Sequence, residues 1–174
     1  MNKLIVFAFC ALLAAGCTGP SDGGNVSDQL SVLQQRPSME EITARYEEMQ
    51  QKLRDRLSAD LGLPTPWVNE GGFGEAGCSE FPGIDGAEKH SLDLWLHEGN
   101  IPDAQWPQAQ QIAVEVTREY GFTELEVIVD RPADHKVELR DGFGAQLHFG
   151  TAVNTIISVR TGCHLLASAR GGQG

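Results

Sequence analysis

The chain has 174 residues, four cysteines, and 24 Asp and Glu against 13 Lys and Arg, for a net charge of −11. That length fits one domain around one core. The acidic balance excludes nucleic acid as a partner and excludes charge-driven binding to anionic lipid headgroups.

The N-terminus reads MNKLIVFAFCALLAAGC. Lys3 precedes an unbroken apolar run over residues 4–15. A run of about a dozen is too short for the roughly 20 residues of a membrane span. It fits the hydrophobic part of an export signal. Ala14, Ala15 and Gly16 lead directly into Cys17, an arrangement that resembles the lipobox of bacterial lipoproteins. That resemblance implies cleavage before Cys17, a diacylglycerol on its thiol and a stable hold on the membrane, since two acyl chains anchor where one is marginal. Residues 1–16 are therefore expected to be a signal peptide. The mature chain keeps all 24 acids and loses only Lys3 among the bases, for a net charge of about −12.

Cys10 leaves with the signal and Cys17 takes the lipid, so Cys78 and Cys163 remain. In an oxidising compartment one remaining pair favours a Cys78–Cys163 disulfide. Metal-binding or catalytic thiols are the alternatives, and the wide separation without a C-x-x-C argues against them. Cys163 and His164 are neighbours on an expected strand and point to opposite faces.

Residues 17–37 are rich in Gly, Ser, Asp and Gln and read as a flexible tether, with Leu30, Val32 and Leu33 offering a weak helical turn at its end. Ser38 with Glu41 forms a capping-box pattern. Met39, Ile42, Tyr46, Met49, Leu53, Leu57 and Leu61 then recur every three or four residues, one helical stripe. Gln50, Gln51 and Arg54 fall on the polar faces, and Gly62 with Pro64 stops the helix. Residues 62–90 are dense in Gly and Pro and read as an irregular loop, stapled at Cys78. The GGFGEAG within it lacks the Lys-Ser/Thr and the strand–helix frame of a phosphate cradle. Residues 91–97 alternate as a strand, with His97 on the polar side. A second helix is expected from 103 or 106 to 120, with Pro107 in its first turn and Gly121 after its end. From 125 onward, period-2 strands at Leu125–Val129, Val137–Leu139, Ala145–Phe149 and 153–165 are joined by short turns, including Asp141-Gly142. The last residues, 167–174, read as a disordered tail. The sum is an α+β fold: a single domain over 38–166, an antiparallel sheet of four to five strands, and two helices on one face.

Several stretches carry a family likeness: RPSMEEITARYEEMQQKL, Gly77-Cys78, EYGFTE, VIVDRPADHKVEL and GAQLHFGTAVNTIISVRTGCHL. Together they span roughly residues 36–166, and the pattern resembles the LppA-like lipoproteins of actinobacteria. The resemblance implies an envelope lipoprotein with no catalytic residues to transfer. It maps Cys17 as the lipid site and Cys78 with Cys163 as the bridge.

No cofactor is expected. His90, His97, His135, His148 and His164 form no H-x-x-x-H or Cys-His ligand spacing, and no Ser sits in a G-x-S-x-G elbow. Trp67, Phe73, Phe81, Trp95 and Trp106 cluster in or near the loop-rich middle. They are candidates for a ligand groove, or for a core beneath the stapled loop. The expected function is that of a membrane-anchored, non-catalytic binding module. Its anchor is Cys17, and an envelope protein or wall component is its partner. A structural envelope protein without a ligand and an extracytoplasmic hydrolase are the alternatives.

Overall fold

A computed structural model describes residues 25–171. Residues 1–24, which include the expected signal peptide and the expected lipid site Cys17, and residues 172–174 lie outside the described residues. In chain order the elements are α1 (Val26–Gln34), α2 (Met39–Leu61), β1 (Trp67–Asn69), β2 (Gly74–Gly77), β3 (Ala87–Ser91), β4 (Trp95–His97), α3 (Trp106–Arg118), β5 (Phe122–Arg131), β6 (Asp134–Asp141), β7 (Gln146–Thr151), β8 (Thr155–Arg160), β9 (His164–Leu165) and α4 (Ala167–Arg170).

Helix α2 forms where its sequence says it should. Ser38 Oγ accepts from the Glu41 amide at 3.2 Å and Glu41 Oε2 from the Ser38 amide at 2.7 Å, which closes the capping box. Gly62 ends the helix at φ 65°, a left-handed turn that glycine adopts without a Cβ clash. All seven stripe residues are buried. Burying each large side chain is worth roughly 1.5–3 kcal/mol.

The stripe packs on α3 and on one face of the sheet. Val137 and Leu139 of β6, Leu147 and Phe149 of β7, and Ile157 and Val159 of β8 point into that core. The register lines them up in rows: Leu139 opposite Leu147 opposite Val159, and Val137 opposite Phe149 opposite Ile157. The main path of strands runs β1-β4-β8-β7-β6-β5, every pair antiparallel, with β3 pairing β2, β8 and β9. Among the described residues the sheet has nine strands and the chain four helices, more than the four to five strands and two helices expected.

The extra strands come from segments without an apolar rhythm. Residues 62–90 are not an irregular loop: they contain β1, β2 and most of β3. Strand β2 (GEAG) lies outside the strand path and pairs only β3. It buries no face and has no alternation to read. The strand expected over 91–97 is broken at Leu92–Leu94. There the Leu92 amide turns to the Val159 carbonyl and the Leu94 amide to the Gly71 carbonyl. The tether is helical from Val26 to Gln34, capped by Asn25, and its Leu33 is fully buried beside Ile84, Cys163 and Leu165. The tail likewise starts as a helical turn, α4, where the Arg170 guanidinium donates to the Gln34 carbonyl at 2.8 Å.

Strand β5 departs from the expectation of one covered face. It is the edge of the sheet, and Leu125, Val127 and Ile128 are 38%, 51% and 44% exposed. A register shift between Val127 and Val129 bulges this edge, which discourages edge-to-edge pairing.

Cys78 and Cys163 are bridged, with Cα atoms 5.8 Å apart at a sequence separation of 85. Next to the bridge, the Arg36 guanidinium donates to the Cys163 carbonyl at 2.8 Å and lies over the rings of Phe81 and Phe143. His164 is fully buried, with Nδ1 donating to the Pro37 carbonyl at 2.9 Å. Burial, aided by the Arg36 charge, holds its pKa below the usual histidine value. The unfolded chain therefore takes up this proton first. Stability from His164 is complete above about pH 6.5 and is lost as pH falls below it. Thermal melts between pH 7.5 and 5.5 are expected to show a falling midpoint, and His164→Gln is expected to flatten that dependence. An unchanged slope in the variant would contradict this assignment.

Candidate functional site

Against α2, near the β1–β4 edge of the sheet, the structure holds a cleft of about 290 Å³. Its walls are Glu47, Gln51 and Arg54 from α2, Asn69 from β1, and Asp93 with Trp95 from the segment entering β4. Gln50 and Arg54, placed by sequence on polar faces, are only 1% and 4% exposed. They lie one helical turn apart, beside Leu53 and Leu57 on the same flank of the helix. The sheet edge with Trp95 covers this flank, so the buried face of α2 is wider than its apolar stripe.

Arg54 is the unusual group. Its guanidinium carbon sits 3.4 Å from the Trp95 ring centroid, and Nη2 donates to Gln51 Oε1 at 2.6 Å. Nη1 is buried with no hydrogen-bond partner. Among the described residues no carboxylate pairs with Arg54 within 4 Å. Burial pulls its pKa down to about 10, against a small opposing pull from Asp55. The Trp95 ring face offsets part of that desolvation through cation–π attraction.

The opposite wall is built of acceptors. Asp93 Oδ2 accepts from Asn69 Nδ2 at 2.9 Å and Oδ1 from the Phe73 amide at 3.1 Å. Gln50 Nε2 donates to the Asp93 carbonyl at 3.1 Å. These bonds fix the carboxylate in place, and each oxygen keeps a lone pair for a further donor.

The five aromatics do not share one groove. Trp95 lines the cleft. Trp67 lies beside it, with Nε1 donating to Ser58 Oγ at 3.1 Å and its ring tilted against His97. Phe73 is half-exposed and edge-on to His90. Phe81 packs with Leu33 and the disulfide. Trp106 is 5% exposed, stacked between His135 and Phe149 in the core. Their nearness in sequence is undone by the strand switch at Leu92–Leu94 and by the disulfide, which draw them to different faces.

The histidines are spread the same way. His97, expected on a polar face, is 3% exposed and bonded to Thr65. His135 bridges the carboxylates of Asp130 and Asp103 at 2.8 and 3.1 Å. On the helix-free face of the sheet, His148 Nε2 lies 2.6 Å from Glu138 Oε2, directly across β6 and β7. Ser158 sits opposite His148 on β8, but no hydrogen bond joins them, so no nucleophile–base pair is assembled there. One group of metal-ligating types comes together among the described residues, Cys78, Glu80 and Cys163, and both of its sulfurs are in the disulfide. No described helix is long and apolar enough to cross a membrane.

Known proteins place this architecture. The family model named LppA, described as a lipoprotein confined to pathogenic Mycobacterium, matches residues 16–167. The crystal structure of LppA from Mycobacterium tuberculosis superposes with a TM-score of 0.69 at 16% identity, covering 85% of this chain and 89% of that one. A DUF4853 family protein from Actinomyces odontolyticus superposes with a TM-score of 0.55, also at 16% identity, over 76% of this chain and 72% of that one. At such identities these structures speak for the fold alone. No curated protein matches the chain. The family match covers most of the chain, including Cys17 and all but the last turn of the fold, and on that ground the chain belongs to the LppA family of lipoproteins.

Proposed function

We propose that this lipoprotein is a non-catalytic binding module, anchored through Cys17 on the outer side of the membrane, that takes neutral saccharide of the cell wall in the cleft at Arg54 and Trp95. The observation that carries the reading is the pairing of an aromatic–guanidinium stack with a fixed acceptor wall, Asp93 held by Asn69 and Phe73. A sugar offers donors in pairs of hydroxyls and an apolar ring face. Carboxylates with spare lone pairs accept the hydroxyls, and the part of the Trp95 indole that Arg54 leaves uncovered gives the ring face an apolar surface to lie against. Glu47 and Asp93 disfavour an anionic ligand at this cleft.

The test is a titration of the mature chain with chitotetraose and with muramidase-solubilised wall glycan, followed by amide chemical shifts. Expected are shifts confined to the residues around Asn69, Asp93 and Trp95. Asp93→Ala should weaken binding about tenfold or more, since one lost charged hydrogen bond is worth about 1.5–3 kcal/mol, and Trp95→Ala, which removes the apolar surface, should weaken it by a similar factor. Trp67→Phe, outside the cleft, should bind as the parent does. Absence of cleft shifts with both glycans would overturn the reading and leave the Arg54–Trp95 stack as a structural pillar.

A further inference from the structure

A second hollow lies on the other side of the sheet, across the layer from α2 and α3. It encloses about 240 Å³ at the ends of β3, β7 and β8. Its rim carries Ser91, Gln146, His148, Ser158 and Arg160, and Leu94 gives it an apolar wall, while the side chains of Leu92 and Val159 are buried in the core under the helices. No acid lines it, although acids outnumber bases 24 to 13 in this chain.

The ladder register explains how these groups meet. Arg160 ends β8 and is paired on one side with Ser91 of β3 and on the other with Gln146 of β7. His148 and Ser158 face each other one step along. Side chains two residues apart on a strand share a face, so these donors stand together on the face the helices leave open.

The nearest carboxylate is already committed. Glu138 is 7% exposed and accepts from His148 at 2.6 Å, from Gln146 at 3.2 Å and from Arg140. Burial alone would raise its pKa, but the hydrogen bonds from His148 and Arg140 hold it below the usual carboxylate value. By contrast, Arg160 makes no ion pair or side-chain hydrogen bond among the described residues, and neither hydroxyl of Ser91 and Ser158 is spent on a protein partner. A guanidinium and two hydroxyls thus line one hollow with unspent N–H and O–H groups beside the apolar Leu94.

We propose that this hollow is a binding site for a small organic oxyanion, a phosphomonoester or carboxylate on a short aliphatic stem. The Arg160 fork takes two of its oxygens, as guanidinium groups do for both anions. Ser91 and Ser158 donate to the remaining oxygens, and the stem lies against Leu94. The site is independent of the saccharide cleft, which presents Glu47 and Asp93 and lies against α2.

The test titrates the 15N-labelled mature chain with inorganic phosphate, butyl phosphate and butyrate at low ionic strength. Amide shifts are expected at Ser91, Gln146, His148, Ser158 and Arg160, saturating below about 10 mM, with butyl phosphate or butyrate tighter than inorganic phosphate because of the apolar contact with Leu94. Which of the two stemmed anions binds more tightly assigns the headgroup. Arg160→Gln should weaken binding about tenfold or more. Lys136→Gln, a cation on the neighbouring strand β6, should change it less than about twofold. Trp95→Ala should leave it unchanged, which separates this site from the saccharide cleft. The proposal falls if no shifts appear, if Arg160→Gln and Lys136→Gln weaken binding alike, or if the three anions bind equally, each of which would indicate diffuse charge rather than a built site.

Discussion

Replacing Cys78 and Cys163 together with serine is expected to destabilise the domain by about 4 kcal/mol. The bridge closes a loop of 85 residues, and the chain-entropy account assigns a loop of that length roughly 4–5 kcal/mol, less any strain in the native bond. The cluster around it is small: Leu33, Ile84, Ala87 and Leu165, with Leu30 and Phe81 at its margin. Such a cluster does not replace a lost covalent tie. For a domain of this size, 4 kcal/mol corresponds to a fall in Tm of about 10 °C. The comparison is between thermal melts of the parent and the double variant, and between the parent with and without a thiol reductant. A shift under about 2 °C would mean that β3, β9 and α1 hold their places without the bridge.

The second large effect is expected at Asp141. Its carboxylate gathers three donors in the interior: the Tyr46 hydroxyl, the Phe143 amide at 2.9 Å and the Ala145 amide at 2.8 Å. Tyr46 is fully buried and meets Phe122 edge-on, with centroids 5.2 Å apart. Burial, and then the bond to Asp141, push its phenol far above the usual tyrosine pKa, so it is a donor at any working pH. Asp141→Ala leaves the phenol and two amides short of an acceptor, and an orphaned buried donor costs about 1–3 kcal/mol. A loss of about 3 kcal/mol or more is expected. Tyr46→Phe removes one donor from a carboxylate that keeps two others, and should cost about 1–2 kcal/mol. Chemical denaturation of both variants decides the order. Tyr46→Phe costing more than Asp141→Ala would place the anchor in the ring hydroxyl instead of the turn that the carboxylate organises.

How much of this was legible in the sequence depended on burial. Helix α2 was, because Ser38 and Glu41 specify its start chemically and seven apolar residues keep one helical period. The inward Val137, Leu139, Leu147 and Phe149 were too, because each of their strands buries one face; the rows they form with Ile157 and Val159 came from the register, and the single last strand read over 153–165 is β8 and β9, separated at 161–163. Strand β2 was not: Gly74–Gly77 is backbone paired to backbone with nothing buried on either side. Nor was the cleft. Arg54 and Gln50 carry polar names and sit next to the stripe, and only the arrival of Trp95 from a distant strand makes that flank interior. The spacing of four between them was the available sign, and it is shared by most solvent-facing pairs on helices. The hollow at Arg160 was equally hidden, since Ser91 and Gln146 are brought to it by register, not by sequence distance.

The central claim is that this domain works on the outer side of a membrane, held there by Cys17. It is tested most directly by growing cells that express the full chain with labelled palmitate and comparing the parent with Cys17→Ser. Anchoring predicts label on the parent, recovery of the parent in the membrane fraction, and a variant that is unlabelled and no longer in that fraction. A Cys17→Ser chain that still carries label, or still sediments with membranes, would contradict it.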